Sequence, residues 1–192
     1  MIRWQSTPYM LPLVIAAAVS AALALYVWRR RPALGATPFV WLMLAVAEWS
    51  LTYALEVGSA DLPAKVFWDR CEFLGIVIVP AAWLAFTLQY TGRERWLTRR
   101  NVALLAIEPL VTLLLVWTND SHGLIWGDIR LDTSGLFPDL GQTPQAGFWA
   151  HTAYSYLLLL VGTLLLAQAL VRAPRLYLSL IHISEPTRQA EI

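Results

Sequence analysis

Cysteine is almost missing from this chain: Cys71 stands alone, so neither an internal disulfide nor a cysteine-based zinc site can form. It reads as a small helix-packing residue. The three His are scattered without a spacing that would hold a metal, so no metal is expected. Charge is scarce as well, at 14% of residues where soluble domains carry about a quarter. A net charge of +1 offers no basic surface, so nucleic acid is not an expected partner. The sequence also lacks a glycine-rich phosphate loop, a paired metal-ligand motif, and a nucleophile spaced with a base and an orienting acid. No catalytic residue and no cofactor is therefore assigned, and the chain reads as non-enzymatic. The lone lysine, Lys65, falls outside every predicted span, which leaves a retinal-type Schiff base unsupported.

What the chain has in abundance is apolar surface: 58% hydrophobic residues, ten Trp and a mean hydropathy of +0.55. A helix needs about 20 apolar residues to cross roughly 30 Å of hydrocarbon, where its own backbone must satisfy every hydrogen bond. Five segments meet that length, at about 9–28, 38–57, 67–90, 102–118 and 148–170. Most are flanked by Trp or Tyr, the residues that sit at bilayer interfaces. The predicted fold class is an all-α polytopic transmembrane helix bundle. Only Arg3 precedes the first apolar run, whereas Arg29, Arg30 and Arg31 follow it, the reverse of a signal peptide, so this segment is expected to stay in the membrane.

Loop charge predicts orientation, because Lys and Arg accumulate on the cytoplasmic side. Arg29 to Arg31 follow the first span, Arg93, Arg95, Arg99 and Arg100 the third, and Arg172 and Arg175 the fifth; the opposite loops hold Arg3, Lys65 and Arg130. The N-terminus is therefore expected outside and the end of the fifth span inside. The long loop 119–147 is then external. Within it Ile129 and Leu131 alternate with Asp128, Arg130 and Asp132, and Thr133-Ser134-Gly135 supplies a turn, predicting a small β-hairpin over the outer mouth of the bundle.

Ionisable groups at membrane depth carry a default functional hypothesis, since burying one is expensive. Glu48, Thr52 and Glu56 share one helix face beside Trp49 and Tyr53. Glu48, the deepest acid, reads either as a proton- or ligand-sensing carboxylate or as a neutral carboxyl bonded to another helix. Asp69, Arg70 and Glu72 cluster near Lys65, with Arg70 placed to pair with Glu56 or Glu72; an interfacial ion-pair network and a ligand site are both open. Gly75 permits close helix approach and Pro80 a kink. Glu108 precedes Pro109 inside the fourth span and is a second candidate proton acceptor. His151 and Tyr154, with Trp149 and Tyr156, open the fifth span. They form an aromatic and polar rim, in which His151 with His122 and Trp126 of the loop above either lines an outward-facing pocket or belongs to an ordinary aromatic belt.

The stretch Leu178 to Ile192 continues no earlier pattern. It resembles the translated frame of a transposase adapter used in sequencing libraries and is expected to be non-native, with the natural frame continuing past Tyr177.

Several blocks resemble one family in order: Phe67-Trp68-Asp69-Arg70, Glu72 to Ile76, Pro80 to Phe86, Tyr90-Thr91-Gly92, Thr118-Asn119 with His122, Leu124-Ile125-Trp126, and Gly147-Phe148-Trp149 through His151 to Tyr154-Ser155-Tyr156. They resemble the N-terminal seven-transmembrane sensory domain of bacterial sensor histidine kinases. The resemblance spans essentially residues 1–177 and implies five spans present of seven, a multi-pass protein of the bacterial inner membrane, and a sensory function. It further implies a homodimer and a response regulator reached through a cytoplasmic output that this chain does not contain. Lipid bilayer and an unidentified stimulus are the remaining expected partners. Related modules precede cyclic-di-GMP enzymes, which is one alternative; a small transporter or channel subunit is another, although no inverted repeat is visible. A lipid-acting enzyme using Glu48 and Glu108 and a plain membrane anchor complete the readings.

Overall fold

The computed structural model describes residues 4–5, 7–30 and 34–183, and side chains within these as far as Arg172. Among the described residues it is all-α apart from one small sheet, with five helical stretches long and apolar enough to cross a membrane. Helix α1 is Met10–Trp28 and α2 is Ala36–Gly58. The third span, Leu62–Tyr90, is two helices, α3 (Leu62–Ile76) and α4 (Ile78–Tyr90), separated at Val77. Pro80 accounts for the break: lacking an N–H, it leaves the Ile76 carbonyl without its helical donor. The fourth span is α5, Arg99–Trp117, entered through an N-cap in which the Asn101 amide donates to Thr98 Oγ1 at 3.2 Å. A single turn, α6 (Asn119–His122), leads to strands β1 (Trp126–Asp132) and β2 (Asp139–Pro144), and the chain finishes in α7, Ala146–Ile183. The strands pair antiparallel with a bulge between Gly127 and Arg130, where Asp128 takes φ +50°. The expected hairpin in the long loop is therefore present.

One span boundary differs from expectation. The third span begins at Leu62 rather than near residue 67, because Pro63 is accommodated in a helix's first turn and Lys65 is carried into the bundle by a partner described below. The apolar span of α7, Ala146–Arg172, agrees with the predicted 148–170, and the helix itself runs on to Ile183 without interruption at Tyr177. Of the predicted tail, 178–183 continue this helix and 184–192 lie outside the described residues, as do Arg3 and Arg31.

Packing is that of a membrane bundle. Helix α1 buries Ala17, Ser20 and Ala24 on one face and turns Leu11, Ile15, Val19, Leu23 and Leu25 outward. Small residues admit a close neighbour, while the large apolar ones suit lipid. Helices α2 and α3 approach closely at Gly75, where a Cβ would overlap the Ala45 carbonyl oxygen and come within 2.5 Å of Glu48 Oε2. One apolar cluster joins Phe73, Val77, Val116 and Ile125; a second joins Leu84 and Leu88 of α4 to Leu158 of α7.

The N-terminal segment, the α2–α3 junction and the hairpin share one end of the bundle. Trp4 bridges to Ser59, the Gln5 amide donates to the Gly58 carbonyl at 2.8 Å, and Gln5 Nε2 donates to the Pro138 carbonyl at 3.1 Å. At the other end Arg93 donates to Gln168 of α7 at 3.4 Å, and Gly35 abuts Phe86.

Candidate functional site

Carboxyl groups on α2 and α3 meet at the hairpin end. The 23 residues of α2 carry Glu48 and Glu56 two turns apart, and α3 carries Asp69 and Glu72 three residues apart. Glu56 is buried and is met by Lys65, whose Nζ lies 3.6 Å from Glu56 Oε1 and donates to the Glu56 carbonyl at 3.0 Å. Lys65 is thus a fully buried residue of α3, not a residue outside the third span. Hydropathy windows exclude a cation by rule, whereas pairing with Glu56 lets this one enter. Arg70 does not pair with Glu56 or Glu72 as the spacing suggested. It turns outward to Asp120 on α6 and leaves Asp69 and Glu72 facing inward.

Those two acids line a pocket of roughly 580 Å³ bounded by α2, α3, α4, β1 and α7. Asp69 accepts a hydrogen bond from Gln142 Nε2 of β2 at 2.9 Å, and the Trp126 indole lies beside it. Glu72 is 7% exposed; the Trp49 side chain hydrogen-bonds its carboxyl, and its Oε1 finds no hydrogen-bond partner. Its electrostatic neighbours are Glu56, Asp69 and Glu48, all of the same sign. Trp49 and Tyr53 of α2, Phe73 of α3, Trp126 of β1 and Phe148 and Tyr156 of α7 supply aromatic walls. Trp126 and Phe148 pack with ring centroids 4.7 Å apart, closing the hairpin onto the bundle. Glu48 lies deeper against Gly75. Above the pocket, Asn119 holds the chain in place: Oδ1 accepts from the amides of Ile125 (3.0 Å) and Trp126 (3.1 Å), and Nδ2 donates to the Trp126 carbonyl at 2.8 Å.

His151 lies in the pocket wall, 4% exposed. Its Nδ1 is 2.9 Å from Glu108 Oε1, which also accepts from Thr112 Oγ1 at 2.8 Å, and its Nε2 is 3.2 Å from Ser155 Oγ. This acid, imidazole and hydroxyl are strung as in a nucleophile–base–acid relay, an arrangement with no counterpart among the motifs visible in the sequence. Acyl transfer also needs N–H donors aimed at a developing oxyanion. Ser155 stands in mid-α7, where backbone amides are spent on the helix. The string links α5 to α7 through Glu108 and His151.

One of the expected pocket residues, and one of the rim beside it, lie elsewhere. His122 is exposed, with Nε2 3.0 Å from Thr118 Oγ1 and Nδ1 accepting from the Leu124 amide at 3.0 Å. Tyr154 faces away, its hydroxyl donating to the Leu105 carbonyl of α5 at 2.8 Å. Gln142, Ser155, Phe148 and Asn119 join the site without having stood out as candidates in the sequence. The four-residue step from His151 to Ser155 is the one signal for them there, since residues so spaced share a helix face.

Among the described residues no group of three or more His, Cys, Asp or Glu is placed to hold a metal ion. Outside the spans, the Ser134 hydroxyl and then the Ser134 amide hold the Asp132 carboxyl below the usual aspartate range. The amide bond measures 2.9 Å and fixes the turn that joins the strands.

Against known proteins, the model of one family, the N-terminal 7TM region of histidine kinase, matches residues 12–183. No curated protein and no solved structure matches the chain.

Proposed function

The chain belongs to the family of N-terminal 7TM regions of histidine kinases, and from that premise we propose that it is the membrane-embedded input module of a two-component sensor. The observation that carries the reading is the family match over residues 12–183. It is supported by the division of the bundle into a capped end with an internal polar pocket and an opposite end rimmed by arginines. In the proposed orientation the hairpin faces outward and the arginine end faces the cytoplasm of a bacterial cell. A stimulus bound at the hairpin end would bias α3 and α7 between two arrangements, which requires that it bind one of them better. The output, a dimerising phosphoacceptor and ATP-binding module that passes phosphate to a response regulator, would come after two further spans beyond Tyr177. Residues 178–192 would then be adapter-derived.

The test is to amplify genomic DNA across the codon for Tyr177 and sequence the downstream frame. Two more apolar spans leading into a phosphoacceptor histidine and ATP-binding motifs are expected. A frame that ends in native DNA with the same fifteen codons would overturn the input-module reading. Continuation into a cyclic-di-GMP enzyme would keep the input role and replace the kinase.

A further inference from the structure

We infer that the pocket between α2, α3 and α7 binds a small organic cation, an ammonium or quaternary ammonium group on an apolar body, with Glu72 as its counter-ion. The inference rests on the input-module reading for its meaning as a stimulus and gives that reading a ligand class.

Glu72 is the starting point. A buried carboxyl ordinarily has its oxygens satisfied, since leaving one unmade is expensive. Glu72 Oε1 has no such partner, yet the side chain is 7% exposed and lines the pocket wall. The two cations on the same helix are committed elsewhere, Lys65 to Glu56 and Arg70 to Asp120. Asp69, one turn before Glu72, adds a second carboxylate to the same wall. The pocket wall therefore holds two carboxyl groups, and both cations of α3 are bonded to other acids.

The walls decide between kinds of cation. A metal ion asks for several oxygen or nitrogen ligands at short range, and among the described residues no such group exists. An ammonium centre asks for aromatic faces, which attract it through the ring quadrupole, and for apolar surface along its body. Trp49, Tyr53, Trp126 and Tyr156 provide the first, and Phe73 and Phe148 the second. An anion would face two carboxylates. The volume suits a small molecule or one lipid headgroup.

The site is also placed to report occupancy. Its walls come from α3, the hairpin and α7 at once, and Gln142 already ties the hairpin to Asp69. A ligand that draws α3, β1 and α7 together favours whichever bundle arrangement holds them close.

The test is calorimetric titration of the 192-residue protein in nanodiscs of phosphatidylglycerol, whose headgroup carries no ammonium. The probes are choline, benzyltrimethylammonium and the uncharged isostere of the latter, in which carbon replaces the nitrogen. Saturable binding of benzyltrimethylammonium is expected, with the isostere weaker by about tenfold or more, a comparison that needs no variant. Glu72→Gln is expected to weaken the cation by a similar factor, while Glu94→Gln, in the loop at the arginine end, leaves it unchanged. Adding phosphatidylcholine to the disc separates the sources: competition with free choline identifies a lipid headgroup, and its absence a free cation. No saturable binding in either disc, equal binding of the isostere, or wild-type affinity in Glu72→Gln overturns the proposal. If the genomic frame continues into a kinase while no cation binds, this inference fails and the input role stands. If a cation binds and no output is encoded downstream, the site stands and its sensory meaning falls.

Discussion

The two ends of the bundle handle polar groups in opposite ways. At the hairpin end Lys65, Asp69, Glu72, Asn119 and His151 are all buried, and Asp69 and His151 are tied to elements far away in sequence. At the other end Arg29, Arg30, Arg95, Arg99 and Arg100 are exposed. Exposed charges are screened and individually contribute little to stability. Buried ones are expensive unless partnered, so they fix structure and concentrate chemistry. The comparison teaches where to look for function in a bundle whose composition is nearly uniform: where polarity has been taken inside.

The sharpest way to break this contrast is Lys65→Met, which strands Glu56 beneath the hairpin. A loss of about 3–5 kcal/mol is expected, seen as a lower thermal midpoint in detergent. The double variant Lys65→Met with Glu56→Leu should recover most of it, while Arg95→Gln changes stability by less than about 0.5 kcal/mol. If Lys65→Met is as mild as Arg95→Gln, the buried pair is not what holds α2 to α3. Next in size is Gly75→Leu, which drives a side chain into Ala45 and Glu48. It should cost about 1–3 kcal/mol, and the same measurement checks it. Smaller still is Arg70→Gln, because Asp120 is 72% exposed on its side chain. The loss should be under about 1 kcal/mol and shrink with added salt.

The smallest effect concerns pH at the turn of the hairpin. The Asp132 carboxyl is held below its usual range by Ser134. Its contribution is therefore present above the ordinary aspartate range and is lost only as pH falls through the lowered value. Amide exchange at Ser134 should stay slow through mild acid and quicken below it. Exchange that quickens within the ordinary aspartate range would contradict the bond.

Much of the fold was legible because its causes are local. Twenty-residue apolar runs, the alternation around Ile129 and Leu131, and the proline at position 80 each act within a few residues of themselves. The site was legible only in its ingredients. Glu48, Asp69, Glu72, Glu108 and His151 stood out as polar groups in or at the ends of the spans, and Trp126 as an aromatic of the outer loop, but their partners come from other elements. Gln142 lies 73 residues from Asp69, and His151 lies 43 from Glu108. A helix apolar on every face gives no cue to its rotation, so the sequence could not say that Tyr154 turns away from the pocket or that Arg70 chooses Asp120. His122 was misjudged for another reason. It sits in a one-turn helix whose hydrogen bonds are all local, and those turn its ring to Thr118 and Leu124.

The most direct test of the contrast between the ends, and of the sidedness an input module requires, is cysteine labelling in intact cells. In a Cys71→Ala background, Ser134→Cys places a thiol at the exposed hairpin turn and Arg95→Cys places one in the loop at the arginine end. A membrane-impermeant maleimide should label Ser134→Cys in intact cells and Arg95→Cys only after lysis. Labelling of Arg95→Cys in intact cells, with Ser134→Cys protected until lysis, would invert the bundle and contradict the account.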